Sequence, residues 1–211
     1  MNILLIGPPG AGKGSQAEKL VSQKAFKHLS TGDLFRKALR EKTPLGLKAG
    51  SYVDRGALVP DSITIGLVEE ALGDFTGNVI FDGFPRTVPQ SEALDQFLQK
   101  RDQKLDHVIS LEVSDDVVLR RLTGRRWAPQ SGKIYHVDFN PPKNSGKCDE
   151  TGEELAIRSD DRPEVVQSRL KNFREITWPL LKHYKIRGIL KEVNGEGAPE
   201  KIFQSIVSFL K

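Results

Sequence analysis

The stretch Ile3-Leu4-Leu5-Ile6-Gly7-Pro8-Pro9-Gly10-Ala11-Gly12-Lys13 decides how the rest of the chain is read. Four apolar residues run into a Gly-Pro turn, the pattern of a buried strand that stops abruptly. From Lys13 to residue 24 the spacing turns helical, with Ala17, Leu20 and Val21 expected on one face. Strand, glycine-rich turn and helix together carry the spacing G-x-x-x-x-G-K of a phosphate-binding loop. Glycines let backbone N–H groups converge on phosphate oxygens, and the helix start adds unpaired donors and partial positive charge. Lys13 supplies a mobile full charge. The usual hydroxyl does not follow the lysine directly: Gly14 intervenes and the hydroxyl is that of Ser15. Gly10, Ala11, Gly12, Lys13, Gly14 and Ser15 are therefore candidate ligands of a nucleotide triphosphate, and this motif alone says no more than that.

Working outward, short apolar runs at residues 26–29, 79–81, 107–113 and 189–193 read as four further strands, with helical patterns between them. Strands alternating with helices predict an α/β, three-layer fold on a five-stranded parallel sheet covered on both faces. Asp61 and Ser114 are candidate N-caps for two of the helices. Two stretches break the rhythm. Residues 30–59 are polar and helical in pattern. Residues 124–161 are rich in Gly, Pro, Asn and Asp, with short alternating pieces such as 133–137, and predict a small insertion of β-hairpins.

Composition narrows the class. The chain has 211 residues, 37% of them hydrophobic, and a formal charge of +4, enough for one compact unit with small inserted subdomains. Its arginines fall singly in motifs and form no basic stripe, which argues against nucleic acid as partner. The apolar start is too short for a signal peptide or a membrane span, so a cytoplasmic location is expected. Cys148 is the single cysteine, which excludes an internal disulfide and reads as a buried structural thiol.

Three more motifs separate the phosphate-binding families: Ser30-Thr31-Gly32-Asp33-Leu34-Phe35-Arg36; Phe81-Asp82-Gly83-Phe84-Pro85-Arg86 with Gln90 after it; and Leu122-Thr123-Gly124-Arg125-Arg126 with Asp160-Asp161 and Arg169 beyond. With the glycine-rich loop, in this order, the chain resembles the adenylate kinases over essentially its whole length, in the form with a long lid. The Gly14–Ser15 departure is usual among them. The resemblance implies phosphoryl transfer from Mg-ATP to AMP. It implies a core of 1–29, 60–123 and 162–211, a nucleoside-monophosphate-binding insertion at 30–59 and a lid at 124–161. For AMP it points to Thr31, Arg36, the stretch Ala57, Leu58 and Val59, the turn Gly83, Phe84 and Pro85, then Arg86 and Gln90, with Arg158 and Arg169 shared. Arg36 and Arg86 would clamp the AMP phosphate, and Gln90 would read the adenine edge. For ATP it adds Arg121, Arg125, Ile134, Tyr135 and Gly197 to the loop. Lys13, Arg86, Arg125, Arg158, Arg169 and Asp82 form the expected catalytic set, with Asp82 holding magnesium through water and no direct protein ligand to the metal. A monomer acting on ATP, AMP and ADP is the family expectation.

The chemistry stands beside the resemblance. Phosphoryl transfer needs positioning, charge neutralisation and exclusion of water more than covalent help, and arginines give planar, bidentate donors to phosphate oxygens. An AMP phosphate is already an anionic nucleophile, so no general base is required. Two readings stay open at this level: a kinase of another nucleoside monophosphate, and a nucleotide-binding regulatory module without turnover. Some relatives hold the lid with a four-cysteine zinc site. The matching positions here are Ala128, Ser131, Cys148 and Thr151, which do not make a tetrahedral zinc site. A metal-free lid is expected, held by a reduced polar network and by packing of Trp127 and Phe139.

Overall fold

In the computed structural model, which describes residues 1–210, the first strand shows why the sheet sits where it does. β1 (Asn2–Ile6) is buried at every residue. Its side chains alternate, Leu4 and Ile6 entering one apolar layer and Ile3 and Leu5 the other, as period-two geometry requires. A strand buried on both faces needs helices on both sides. The elements that follow are α1 (Lys13–Gln23), β2 (Phe26–Ser30), α2 (Thr31–Arg40), α3 (Pro44–Asp54), α4 (Asp61–Leu72), β3 (Asn78–Asp82), α5 (Val88–Gln99), β4 (His107–Glu112) and α6 (Asp115–Thr123). After them come β5 (Arg125–Trp127), β6 (Ile134–His136), α7 (Pro163–Asn172), a π-helical turn Phe173–Thr177, α8 (Trp178–Ile186), β7 (Leu190–Asn194) and α9 (Pro199–Ser208).

The five long strands form one parallel sheet in the order β2-β3-β1-β4-β7. One face carries α4, α5 and α8 through Val68, Leu72, Leu94, Leu98, Leu180 and Tyr184. The other carries α1 and α9 through Ala17, Leu20, Ile202, Phe203 and Ile206. Chain order reverses on either side of β1, so a crevice opens at its carboxyl end, where ligands bind in open α/β sheets.

The two irregular stretches take the predicted characters. α2 and α3 pack on each other around Phe35, Ala49 and Val59. Ser30 caps α2 by accepting the Asp33 N–H, and Thr43 caps α3 by accepting that of Gly46. β5 and β6 form a two-stranded antiparallel hairpin with its own small cluster of Ala128, Tyr135 and Cys148.

Two local expectations are corrected, and a third holds without its expected hydrogen bond. Val21 is 39% exposed, and the buried polar residue of α1 is Gln16, whose amide donates to the Pro199 carbonyl at 3.0 Å. Asp61 is the first residue of α4, not its cap; its carboxylate instead accepts from Thr87 Oγ1 at 2.9 Å and Gln90 Nε2 at 2.7 Å. Ser114 stands at the N-cap of α6 but makes no side-chain cap bond.

Candidate active site

The glycine turn works as its composition requires. Gly10 and Gly12 have φ of 77° and 96°, a left-handed region costly for other residues. A Cβ on Gly10 would lie 2.9 Å from Leu122. Gly12 caps α1 without a side chain, and the first helical bond is Gln16 N–H to the Gly12 carbonyl. The N–H groups of Lys13, Gly14 and Ser15 thus belong to an unfilled first turn, a ready anion site. Lys13 Nζ donates to the carbonyls of Gly7 at 2.8 Å and Pro8 at 2.9 Å. Burial, reinforced by the Arg86, Arg169 and Arg125 charges and opposed by Asp82, brings its ammonium down to a pKa of about 8.

Arg121 braces this loop. Its guanidinium donates to the carbonyls of Gly10 and Ala11 and, at 2.9 Å, to that of Gly195. It therefore ties the loop to the turn between β7 and α9 that carries Gly197.

Five arginines from three parts of the chain meet above the loop. Arg86 comes from the turn after β3 and donates through Nε to the Gly83 carbonyl at 2.8 Å. Arg36 comes from α2 and pairs with Asp33 at 2.6 Å. Arg169 on α7 is 3.0 Å from Asp160 and 3.4 Å from Asp161. Arg125, at the start of β5, meets Asp161 through Nε at 2.7 Å and Nη2 at 2.5 Å. Arg158 is 7% exposed. Burial and mutual repulsion hold Arg86, Arg158 and Arg169 below the usual guanidinium range. Asp160 is lowered in spite of its burial, because Arg169, Arg125, Arg36 and Arg158 surround it. Such a cluster of cations is stabilised by an incoming polyanion.

A cavity beneath is lined by Lys13, Leu58, Pro85, Arg86 and Arg169. Residues 30–59 and 124–161 touch each other at two points. Ser159 Oγ donates to Asp54 at 2.9 Å, and Arg40 donates to the Pro129 carbonyl.

On the expected AMP side, the Thr31 hydroxyl donates to the Gly83 carbonyl at 2.9 Å. Gly83 has φ 77°, and a Cβ there would stand 2.8 Å from Thr31 Oγ1. Gln90 is 2% exposed; its Oε1 accepts the Arg86 N–H at 2.7 Å and its Nε2 donates to Asp61. One amide hydrogen and one lone pair of Gln90 are left for other partners. Phe84 and Val59 are buried in apolar clusters. Leu58 lines the cavity and Ala57 is half-buried.

Asp82 ends β3 with its carboxylate 3.3 Å from His28 Nε2 and beside the start of α1. Among the described residues no group of three or more His, Cys, Asp or Glu side chains could enclose a metal. One carboxylate beside a phosphate cradle suits magnesium, which keeps several waters and takes phosphate oxygens.

The lid hairpin has two faces. Arg125 and Trp127 share one with their partners His136 and Ile134; Arg126 and Tyr135 share the other. Tyr135 is therefore turned into the lid, its hydroxyl 3.4 Å from Cys148 Sγ and accepting the Asp149 N–H at 2.8 Å. Its expected ATP contact is left to backbone, while Ile134 lies on the arginine face. Ser131 Oγ is 3.7 Å from Cys148 Sγ, and Thr151 donates to Glu153 at 3.0 Å. Packing by Phe139 is corrected: it is 58% exposed and stacks on His136 at 4.3 Å. Trp127 also stands outside the lid cluster.

Sequence reasoning missed several organising residues. Asp161, with its side chain fully buried, joins Arg125 to Arg169. Glu153 accepts the N–H groups of Gln130 at 2.7 Å and Ser131 at 2.9 Å. Asn172 donates to the Gly56 carbonyl at 2.8 Å, tying α7 to the insertion. The adjacent pair Asp160-Asp161 signalled the first; nothing local signals the other two.

Comparison with known proteins matches residues 5–189 to the family model described as adenylate kinase. The adenylate kinase of Carboxydothermus hydrogenoformans is 50% identical over 213 aligned residues, covering 100% of both chains. Those of Chloroherpeton thalassium and Bacillus subtilis are each 48% identical, covering 100% of this chain and 98% of theirs.

Proposed function

The chain belongs to the adenylate kinase family, and from that membership we propose how its own residues carry out the reaction. The enzyme transfers the terminal phosphoryl group of ATP to AMP, giving two ADP. The observation that carries the residue assignment is the meeting of Lys13, Arg86 and Arg169 at one cavity, with Arg36, Arg125 and Arg158 gathered with Arg169 around Asp160.

The glycine loop, from Gly10 through Ser15, wraps the ATP phosphates with its N–H groups, and Lys13 exchanges its loop carbonyls for phosphate oxygens. Arg121 keeps the loop in register with the turn around Gly197, against which the ATP base rests, and Ile134 covers it from the lid. Arg36 and Arg86 hold the AMP phosphate. Thr31, Leu58, the backbone of Ala57, Val59 and Gly83 to Pro85, and the remaining amide groups of Gln90 bound the AMP base. Arg125, Arg158 and Arg169 gather on the equatorial oxygens of the transferring group, where negative charge is spread in a loose transition state. Preorganised donors in a water-poor site are worth most there. Magnesium, when bound, neutralises phosphate charge, and Asp82 would orient its waters. The insertion at 30–59 and the lid at 124–161 move as flaps on the core of 1–29, 60–123 and 162–211, excluding water that would otherwise accept the phosphoryl group. The enzyme acts as a monomer in the cytoplasm; among the described residues no helix is long and apolar enough to cross a membrane.

Product formation with Mg-ATP and each of AMP, GMP, CMP and UMP, run beside Lys13→Ala, tests this reading. ADP is expected with AMP and is lost in the variant. A Lys13→Ala protein with full turnover would overturn the assignment.

A further inference from the structure

Four of the arginines at the site are held by their edges. Arg125 and Arg169 are paired with aspartates, Arg36 with Asp33, and Arg86 with the Gly83 carbonyl. Arg158 differs. Among the described residues its side chain makes no hydrogen bond or ion pair, and its Nε is buried without a partner. What it does have is the face of Trp127, whose ring centroid lies 5.3 Å from the guanidinium carbon.

The placement follows from strand pairing. Trp127 and Ala156 exchange both backbone hydrogen bonds, at 2.9 and 2.8 Å. Arg158 stands two residues beyond Ala156, so it is the diagonal neighbour of Trp127 on the same face, within reach of a long side chain. Arg125, two residues before Trp127, shares that face. Arg36 and Arg125 repel Arg158, and the nearest carboxylates, Asp160 and Asp161, are engaged with other arginines. An aromatic face attracts a guanidinium through the ring quadrupole and leaves its N–H edge unoccupied.

We propose that Trp127 is a positioning residue for phosphoryl transfer: it holds Arg158 by its face, so that the N–H edge of this arginine is delivered unpaired to the phosphates. The inference rests on the assignment of Arg158 to the phosphates made above. A carboxylate partner in the same place would fix the arginine equally well, but would have to be displaced from its edge each time substrate arrived. Trp127 does the holding without competing for the donors.

Steady-state kinetics with ATP and AMP on Trp127→Leu, Trp127→Phe, Arg158→Ala and the double variant Trp127→Leu/Arg158→Ala test it, with thermal unfolding of each. Trp127→Leu is expected to lower kcat by about tenfold, the scale of a desolvated cation–π contact, with KM little changed. Trp127→Phe, which keeps a π face, is expected to stay within about threefold of the parent. In the Arg158→Ala background Trp127→Leu is expected to change kcat by less than about twofold, because the partner is gone. Equal losses in both backgrounds would show that Trp127 merely supports the lid and would overturn the proposal. So would an active Trp127→Leu beside an impaired Arg158→Ala. A fully active Arg158→Ala would instead remove the phosphate assignment itself, and the proposal with it.

Discussion

The Asp161 carboxylate lies against the fork of Arg125, Oδ2 2.7 Å from Nε and Oδ1 2.5 Å from Nη2, and the same Oδ1 is 3.4 Å from Nη1 of Arg169. One fully buried anion thereby joins a lid cation to a core cation. Removing its charge leaves Arg125 without its counter-ion and Arg169 with Asp160 alone. Asp161→Asn is expected to cost about 3 kcal/mol of stability, the scale for breaking a buried pair, and to lower kcat as well. Arg125→Ala is expected to raise the barrier by at least about 3 kcal/mol, as loss of a transition-state donor does. Urea denaturation and turnover check both; an Asp161→Asn protein with an unshifted midpoint would refute the bridging role.

Lys13 shows the opposite balance. Its burial among arginines brings its pKa down to about 8, so the folded state binds this proton less tightly than the unfolded state does. The charge therefore costs stability at neutral pH, and that cost disappears as pH rises through 8 toward the ordinary lysine range. Lys13→Met is expected to abolish turnover yet raise stability by about 1–2 kcal/mol, the usual gain from relieving a functional site. For the parent enzyme, kcat/KM is expected to fall as pH rises through about 8, the pKa of this ammonium in the free enzyme.

His28 titrates near Asp82. Burial would lower its pKa, but the hydrogen bond and charge of Asp82 outweigh burial and raise it. A raised histidine pKa stabilises fully below the unfolded value of about 6.5, and the gain is lost as pH rises through the folded value. The melting difference between the parent and His28→Gln is therefore expected to be larger at about pH 5.5 than at about pH 8.5. Equal differences at both would show that the pair contributes no charge interaction.

Arg121 makes its three hydrogen bonds to backbone of the loop and of the β7–α9 turn. Arg121→Ala is expected to raise KM for ATP by about tenfold, the worth of about 1.4 kcal/mol of positioning, with KM for AMP little changed. Initial rates at varied ATP and AMP separate the two. A loss confined to AMP would place Arg121 on the wrong side of the site.

Glu153 holds the lid turn by accepting the N–H groups of Gln130 and Ser131. Burial works against its ionised form, but those bonds and the Ser131 and Thr151 hydroxyls bring its pKa down to about 2. Glu153→Ala is expected to speed hydrogen exchange at these two amides by about tenfold while leaving the central sheet unchanged. Uniform acceleration across the sheet would mean that the lid is not a separate unit of stability.

The strand, glycine turn and helix at the chain start were legible because each piece carries a local signal: an apolar run, left-handed glycines and helical spacing. The cations Lys13, Arg86, Arg125 and Arg169 were legible as a set because they sit in recognisable motifs, and Arg158 only through the family resemblance. What was hidden depends on distance or on facing. Asn172 and Gly56 are 116 residues apart, and no local pattern announces their bond. Tyr135 was placed in the right segment, but alternation says only that neighbours face opposite ways, not which way is toward the site. Val21 failed for the same reason at the margin of an amphipathic face.

The hairpin of β5 and β6 carries Arg125, Trp127 and Ile134 on one side of its two short strands, while Tyr135 and Cys148 pack on the other. The two faces answer to different demands. Substitutions among Ala128, Ser131, Cys148 and Thr151 alter how the flap is fastened internally without touching the groups proposed to meet the nucleotide. The inner surface can therefore stay constant while the fastening changes, and a lid grafted from a relative with a different fastening needs to match this chain only at its inward-facing residues.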